Sequence, residues 1–279
     1  MFWGVFPQVL RGGFYMRLFL LSSATILFGL FDVQTVRAQS SSETPPPTDA
    51  IDPVAAEILT LAADYLSKQD VLAFDWFVSF DVVVDGREKI TYMRSGANLL
   101  QRGVGFYGYT EFGDDTREYF FDGEQFSILD VEENAYVSAP FSGNFDALAD
   151  RVRDTYDLRL PIWQVMNASP RAELLERAET AAYLGTTRIA GREAYHLAFS
   201  DYEADWQIWI ATDPEQPELL MIVGTDPYTQ GWPQYRAYFS NWNFEPEIPP
   251  GAFSYESDDE AELMAWPKPD DLDLQREWN

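Results

Sequence analysis

Cysteine is absent from the 279 residues, and histidine occurs once, at position 196. The first absence excludes disulfide staples, thiol nucleophiles, Cys-ligated zinc and a lipid-modified N-terminal cysteine; the second excludes any histidine cluster. Positive charge is also scarce. Against 46 Asp and Glu stand 19 Lys and Arg, a formal charge of −27, so phosphate backbones and anionic membrane surfaces are repelled and no nucleic-acid partner is expected. What the chain has in plenty is aromatic surface: 20 Phe, 15 Tyr and 9 Trp in a sequence that is 46% hydrophobic. That composition excludes a disordered or collagen-like polymer and supplies a core for one large β domain or two ordinary ones.

Only one apolar run is long. Arg17 precedes the mostly apolar stretch 18–31, which Asp32 ends and which is shorter than the roughly 20 residues a membrane-spanning helix needs. Val36-Arg37-Ala38 then places small or modest residues where a signal peptidase reads. Residues 1–38 are therefore expected to be a secretory signal peptide, cleaved after Ala38, with 1–15 an upstream extension if Met16 is the start. An uncleaved anchor is the alternative. Cleavage removes Arg11, Arg17, Arg37 and Asp32, which takes the formal charge to −29. The expected product is a periplasmic protein and not an integral membrane one. Residues 39–50 (QSSSETPPPTDA) are polar and rich in Ser and Pro, a disordered linker by composition.

From Ile51 the patterns are those of a folded domain, expected over 51–255. Asp52-Pro53 gives a cap and a proline at the first helical position, and Val54, Ile58, Leu61, Tyr65 and Leu66 follow at helical spacing to about Lys68. At Phe74 the period becomes two: Phe74, Trp76, Val78, Phe80, Val82 and Val84 share one face, and Asp85-Gly86 turns the strand back. Further strands are expected at 89–94, 98–109, 116–121, 125–130 and 135–139, a meander. Glycines 103, 105 and 108 inside the second of these mark a bulge, a bend or a close backbone approach. Asn144 opens a helix carrying Phe145, Leu148, Val152 and Tyr156, Leu160-Pro161 breaks it, and Pro170 opens a second short one. Strands resume at 181–189, 193–200, 205–211, 218–225 and 234–244. The result is a mainly β (α+β) chain, one curved antiparallel sheet of ten or eleven strands with helices at its start and middle. The tail 256–279 holds nine acids against Lys268 and Arg276 and reads as a solvated end, with Leu263, Met264 and Trp266 as the residues able to dock; it lacks the spacing of an EF-hand loop.

Five sets of segments stand out: Asp52-Pro53-Val54-Ala55, Tyr119-Phe120-Phe121-Asp122-Gly123 with Tyr136, Leu160-Pro161, Gly191 with Tyr195-His196-Leu197-Ala198-Phe199, and Asp205-Trp206-Gln207-Ile208-Trp209-Ile210, spread from about Ile51 to Tyr255. Together they resemble a bacterial family of predicted periplasmic proteins, domain of unknown function 2092. The family is similar to the LolA and LolB lipoprotein carriers. That resemblance implies an incomplete antiparallel β-barrel with helices covering its open side. No arginine here is matched to the one that helps those carriers release cargo, so the resemblance extends to fold more firmly than to lipoprotein transfer.

The residues themselves suggest a hydrophobic ligand. In 234–244 one face carries Tyr235, Ala237 and Phe239 and the other Tyr238, Trp242 and Phe244; in 205–210, Trp206, Ile208 and Ile210 oppose Trp209. A sheet apolar on both faces needs cover on both. Burying a chain of a dozen methylenes contributes roughly 10 kcal/mol before ordering costs. Trp76, Phe80, Trp206, Trp209, Tyr238 and Trp242 are the candidate lining residues of a cleft for a lipid, another hydrophobic small molecule or the acyl chains of a lipoprotein. Core packing is the competing reading of each. No catalytic residue, metal site or cofactor is expected: His196 sits inside a strand without an acid–serine pattern, and Asp205 is expected to hydrogen-bond at its strand's edge. Two other functions compete with a carrier. One is an envelope interaction module whose cleft is filled by its own side chains; the other, the weakest, is a hydrolase.

Overall fold

The computed structural model describes residues 50–156, 158–168 and 177–266. The signal peptide and linker expected before Ala50, the helix expected to open at Pro170, and the tail beyond Trp266 lie outside these residues.

Helix α1 (Pro53–Ser67) begins as its sequence dictates: the Asp52 carboxylate accepts from the Val54 amide at 2.9 Å, and Pro53 takes the first position, where a missing N–H costs nothing. The second Asp52 oxygen accepts from the Tyr183 amide at 3.1 Å, so the cap also ties the helix to the sheet. Its Ala55, Leu59, Ala62, Ala63 and Leu66 are buried, and it packs over the three strands at 180–189, 192–200 and 205–211.

The strands are β1 (Val71–Val84), β2 (Glu88–Gln101), β3 (Gly105–Phe112), β4 (Asp115–Phe121), β5 (Gln125–Asp130) and β6 (Ala135–Pro140), then β7 (Thr180–Ile189), β8 (Arg192–Ser200), β9 (Asp205–Ala211), β10 (Leu219–Thr225), β11 (Gln234–Asn243) and the two-residue β12 (Glu262–Leu263). Between the two groups run α2 (Phe145–Tyr156), opened by the Asn144 side chain accepting from Ala147 N, and the short α3 (Trp163–Met166). All twelve strands form one sheet, ordered β12-β6-β5-β4-β3-β2-β1-β11-β10-β9-β8-β7. The first meander runs outward from β1, and the second runs inward until β11 pairs with β1. The edges β7 and β12 do not pair with each other, so the sheet is unclosed. A single buried cluster nevertheless joins Phe121 and Phe126 from one half with Leu197, Phe199 and Ile208 from the other, through Leu59, Leu66, Leu148 and Val152 of the helices. The sheet therefore curls round its helices, in the incomplete antiparallel barrel that the resemblance implied.

Four details differ from the sequence reading. Residues 88–101 form one strand, and the glycine-rich stretch is not one bent strand: Gly103 (φ +73°) sits in the turn between β2 and β3, closed by Val104 N donating to Gln101 O at 3.0 Å. Two glycines do permit close approach. A Cβ on Gly105 would lie 2.5 Å from Phe121 O and the Phe253 ring, and one on Gly96 would lie 2.1 Å from Tyr109 O and 2.4 Å from the Trp76 ring. Helix α3 lacks the length for a visible period. A twelfth strand, β12, runs parallel to β6, and Met264 N donates to Tyr136 O at 2.7 Å; beyond it Trp266 stacks on Tyr156 (4.6 Å) and Phe126 (5.7 Å).

The fourth difference moves a candidate residue. The register of β11 against β1 shifts between Ala73–Asn243 and Asp75–Ser240, and Asn241 adopts φ +54°, so an extra residue is accommodated there. Such a bulge reverses the facing of everything beyond it. Trp242 and Phe244 accordingly join Phe239 on the helix-covered face and not Tyr238 on the outer one.

Candidate functional site

The six aromatic residues singled out from the sequence do not form one group. Trp76, Phe80, Trp206 and Trp242 lie on the helix-covered face, the first three almost fully buried at 4%, 3% and 5% exposure. Trp76 donates to Asn98 Oδ1 at 3.3 Å; Trp206 lies flat on Phe199 with centroids 4.0 Å apart; Trp242 stacks on Phe74 at 4.4 Å and donates to Leu219 O at 2.8 Å. Trp209 and Tyr238 are on the outer face. There Trp209 stacks on His196 at 4.3 Å in a small cluster with Ala194, Ala211 and Leu220, and Tyr238 meets Phe77 at 6.2 Å. His196 also bonds Gln207 Oε1 through Nε2 at 2.9 Å, a structural arrangement. Asp205 does not do the job expected of it: no hydrogen bond of its carboxylate is found among the described residues. It lines an outer-face cleft of about 620 Å³ with Lys89, Thr225, Pro227, Gly231, Trp232 and Gln234, a mixed polar lining.

The helix-covered face has two ends. At one, the described helices are fastened to it. Arg102 at the end of β2 donates through Nε to Gln69 O (3.0 Å) and through its terminal nitrogens to Met166 O (2.9 Å), Leu66 O (3.4 Å) and Asn167 O (3.4 Å), so one guanidinium holds the C-terminal ends of α1 and α3. Burial lowers its pKa, against the opposing pull of Asp146 and Asp70. Asn98, buried on β2, donates to Pro161 O at 2.8 Å, Phe106 of β3 meets Phe145 of α2 at 4.9 Å, and Tyr65 of α1 meets Phe244 at 5.2 Å.

At the other end, six residues further along the strands from Asn98 to Tyr92 and from Phe106 to Phe112, or about 20 Å at the usual strand rise, the same face carries rings. Phe80, Tyr92 and Phe112 stand 5.7–6.3 Å from one another, with Tyr235 opposite Phe80 on β11. Among them sits Arg94. Its Cζ lies 5.0 Å from the Phe80 centroid and 4.8 Å from that of Phe112, attractive contacts for a cation over a ring face. Among the described residues its buried Nε has no hydrogen-bond partner and no carboxylate lies within ion-pair distance. Burial pushes the Arg94 guanidinium pKa down and the Tyr235 hydroxyl pKa up.

Sequence reasoning missed Arg94, Arg102 and Asn98. Their strand, with Tyr92-Met93-Arg94-Ser95-Gly96-Ala97-Asn98 at its centre, has no apolar alternation, and only its register against β1 tells which residues face inward. Asp81 was missed as well. On the outer face it is 1% exposed and accepts from Thr91 Oγ1 (2.7 Å), Gln234 N (3.1 Å) and Arg236 (3.3–3.4 Å), with Lys89 Nζ at 3.5 Å.

Among the described residues no group of three or more His, Cys, Asp and Glu side chains could hold a metal ion, and no helix is long and apolar enough to cross a membrane. The family model described as predicted periplasmic protein DUF2092 matches residues 55–265. The chain belongs to that family. Solved structures similar to this family member include LprF from Mycobacterium bovis (12% identity, 72% of this chain and 98% of that one, TM-score 0.44) and the lipoprotein LppX from Mycobacterium tuberculosis (13%, 71% and 100%, 0.44). A LolA superfamily protein from Nitrosomonas europaea is similar at 14% identity over 72% of this chain and 97% of that one, with a TM-score of 0.32. No curated protein matches the DUF2092 sequence.

Proposed function

We propose that this DUF2092 protein is a non-enzymatic periplasmic carrier, released from a signal peptide after Ala38, that holds a hydrophobic ligand against the helix-covered face of its sheet. One observation carries the reading. The described helices are fastened to the central strands at Asn98, Arg102, Phe106 and Phe244, whereas the aromatic lining continues about 20 Å further, to Phe80, Tyr92, Phe112 and Tyr235. A cover fastened at one end and a greasy lining beyond it suit an alkyl chain laid along the strands, where each buried methylene contributes about 0.8 kcal/mol. Trp76, Phe80 and Trp242 are the sequence-derived candidates that this reading keeps as lining. Trp209 and Tyr238, on the outer face, are not needed by it.

The near-complete burial of Trp76, Phe80 and Trp206 within one cluster favours a second reading, an envelope interaction module whose interior is filled by its own side chains. Mass spectrometry of organic extracts from the purified mature protein separates the two, together with titration by a fluorescent fatty acid. The carrier reading expects a copurified amphiphile and saturable uptake of the probe. A lipid-free protein that refuses the probe favours the interaction module.

A further inference from the structure

Several arginines are paired. Arg117 faces Asp130, Arg153 faces Asp150 and Asp154, Arg192 bonds Glu218 at 2.6 Å, Arg236 bonds Asp81, and Arg102 is spent on backbone carbonyls. Among the described residues Arg94 has neither an acid nor a carbonyl as a partner, in a chain whose acids outnumber its bases by 46 to 19. Burying a cation without a counter-charge is costly. Ring faces offset only part of that cost, because contact with an aromatic face is weaker than a charge-assisted hydrogen bond. The guanidinium presents five donors in a fixed fork, which suits a carboxylate or a phosphate oxygen pair.

Position adds the second half of the argument. Arg94 lies on the same face of β2 as Gly96 and Asn98, opposite Val78 of β1 and beside Phe80, between the fastening at Asn98 and the rings of Tyr92 and Phe112. An amphiphile lying along this face with its tail over Tyr92 and Phe112, away from the fastened helices, brings its head to Arg94. We propose that Arg94 is the anchor for the oxyanion head of a single-chain amphiphile, a fatty acid or an alkyl phosphate, and that the ring-lined face takes the alkyl tail. The inference rests on the carrier reading and adds to it the charge of the ligand and the residue that recognises it. The excess negative charge of the rest of the protein works against free small anions, so the alkyl chain is required for binding.

The test is calorimetric titration of the mature protein with dodecanoate, dodecyl phosphate, dodecanol and inorganic phosphate, repeated on Arg94→Met and Arg94→Lys. One charge-assisted hydrogen bond within an apolar surround predicts that the preferred anionic amphiphile binds about tenfold or more tightly than dodecanol. Arg94→Met is expected to abolish that preference while dodecanol still binds, and Arg94→Lys to keep part of it. Whichever of dodecanoate and dodecyl phosphate binds more tightly identifies the head. The inference is overturned, with the carrier reading intact, if dodecanol binds as well as both anions or if the preference survives Arg94→Met. It is overturned too if inorganic phosphate alone binds as tightly as the amphiphiles. Failure of all the alkyl compounds to bind removes the carrier reading itself. Should Arg94→Met not fold, the ratio of anionic amphiphile to dodecanol measured on the unaltered protein still decides.

Discussion

Replacing Arg102 by methionine isolates the fastening of the helices, because methionine keeps much of the aliphatic stem and removes every donor. Four carbonyls lose the guanidinium donor. The two at 2.9–3.0 Å, Met166 O and Gln69 O, are well formed, and hydrogen bonds to a charged group contribute about 1.5–3 kcal/mol each. The two at 3.4 Å add little, and Leu66 O keeps the backbone amides of Lys68 and Gln69 as donors. Water reaches part of the site and offsets some of the loss, so Arg102→Met is expected to cost about 2–4 kcal/mol. For a domain of this size that is a fall in Tm of roughly 5–12 °C. Arg102→Lys retains a cation at two helix C-termini but reaches fewer carbonyls, and is expected to lose about half as much. Thermal and urea unfolding followed by circular dichroism measure both. Hydrogen exchange should locate the loosening at residues 66–70 and 163–167. An Arg102→Met protein within about 0.5 kcal/mol of the unaltered one would refute the argument, as would exchange that accelerates elsewhere and not at these two segments.

Three further outcomes follow from the packing. Gly96→Ala is expected to destabilise by about 3 kcal/mol or more, since its Cβ must displace either the Tyr109 backbone or the Trp76 ring; urea midpoints and tryptophan fluorescence report it. Burial alone would raise the Asp81 pKa, but bonds from Thr91, Arg236 and Gln234 outweigh it and hold the group below its ordinary 3.8. Its stabilisation is therefore present above that value and lost as pH falls through the lower folded value. Asp81→Asn is expected to cost about 2 kcal/mol at neutral pH, less than a fully buried pair because Lys89 and Arg236 keep contact with water. From about pH 5 downward its denaturation curve is expected to flatten relative to the unaltered protein. Trp266→Ala should cost about 2–3 kcal/mol through lost stacking on Tyr156 and Phe126, whereas Trp266→Phe, which also removes an indole N–H that is buried without a partner, should stay within about 1 kcal/mol.

The legible parts of the fold are those where local chemistry acts alone. Asp52-Pro53 caps α1, Asn144 caps α2, and Asp85-Gly86 and Ala190-Gly191 take the positive φ angles their hairpins need. The strict alternation from Phe74 to Val84 identifies the inward face of β1. What escaped depends on partners distant in sequence. Gly96 is glycine because Trp76 and Tyr109 cross it, and nothing near position 96 says so. Trp242 points inward because the strand gains a residue at Asn241, a change that a strict period of two assigns to the wrong face. The tail's acids advertise solvent, while Trp266 among them finds Tyr156 and Phe126 through a long-range contact. At the candidate site the bias was toward greasy residues: the aromatics of the lining were visible, but the polar groups that organise it, Arg94, Asn98 and Arg102, stand on a strand of mixed character whose facing only its neighbours determine.

The account turns on where an alkyl chain goes. Diffraction from crystals grown with bromine-terminated dodecanoate would show it directly through the anomalous signal of the bromine. The carrier reading predicts one bromine site on the helix-covered face, beyond Tyr92 and Phe112, with the carboxylate beside Arg94. Bromine only on the outer face, beside Trp209 or in the polar cleft of Lys89 and Trp232, would contradict it.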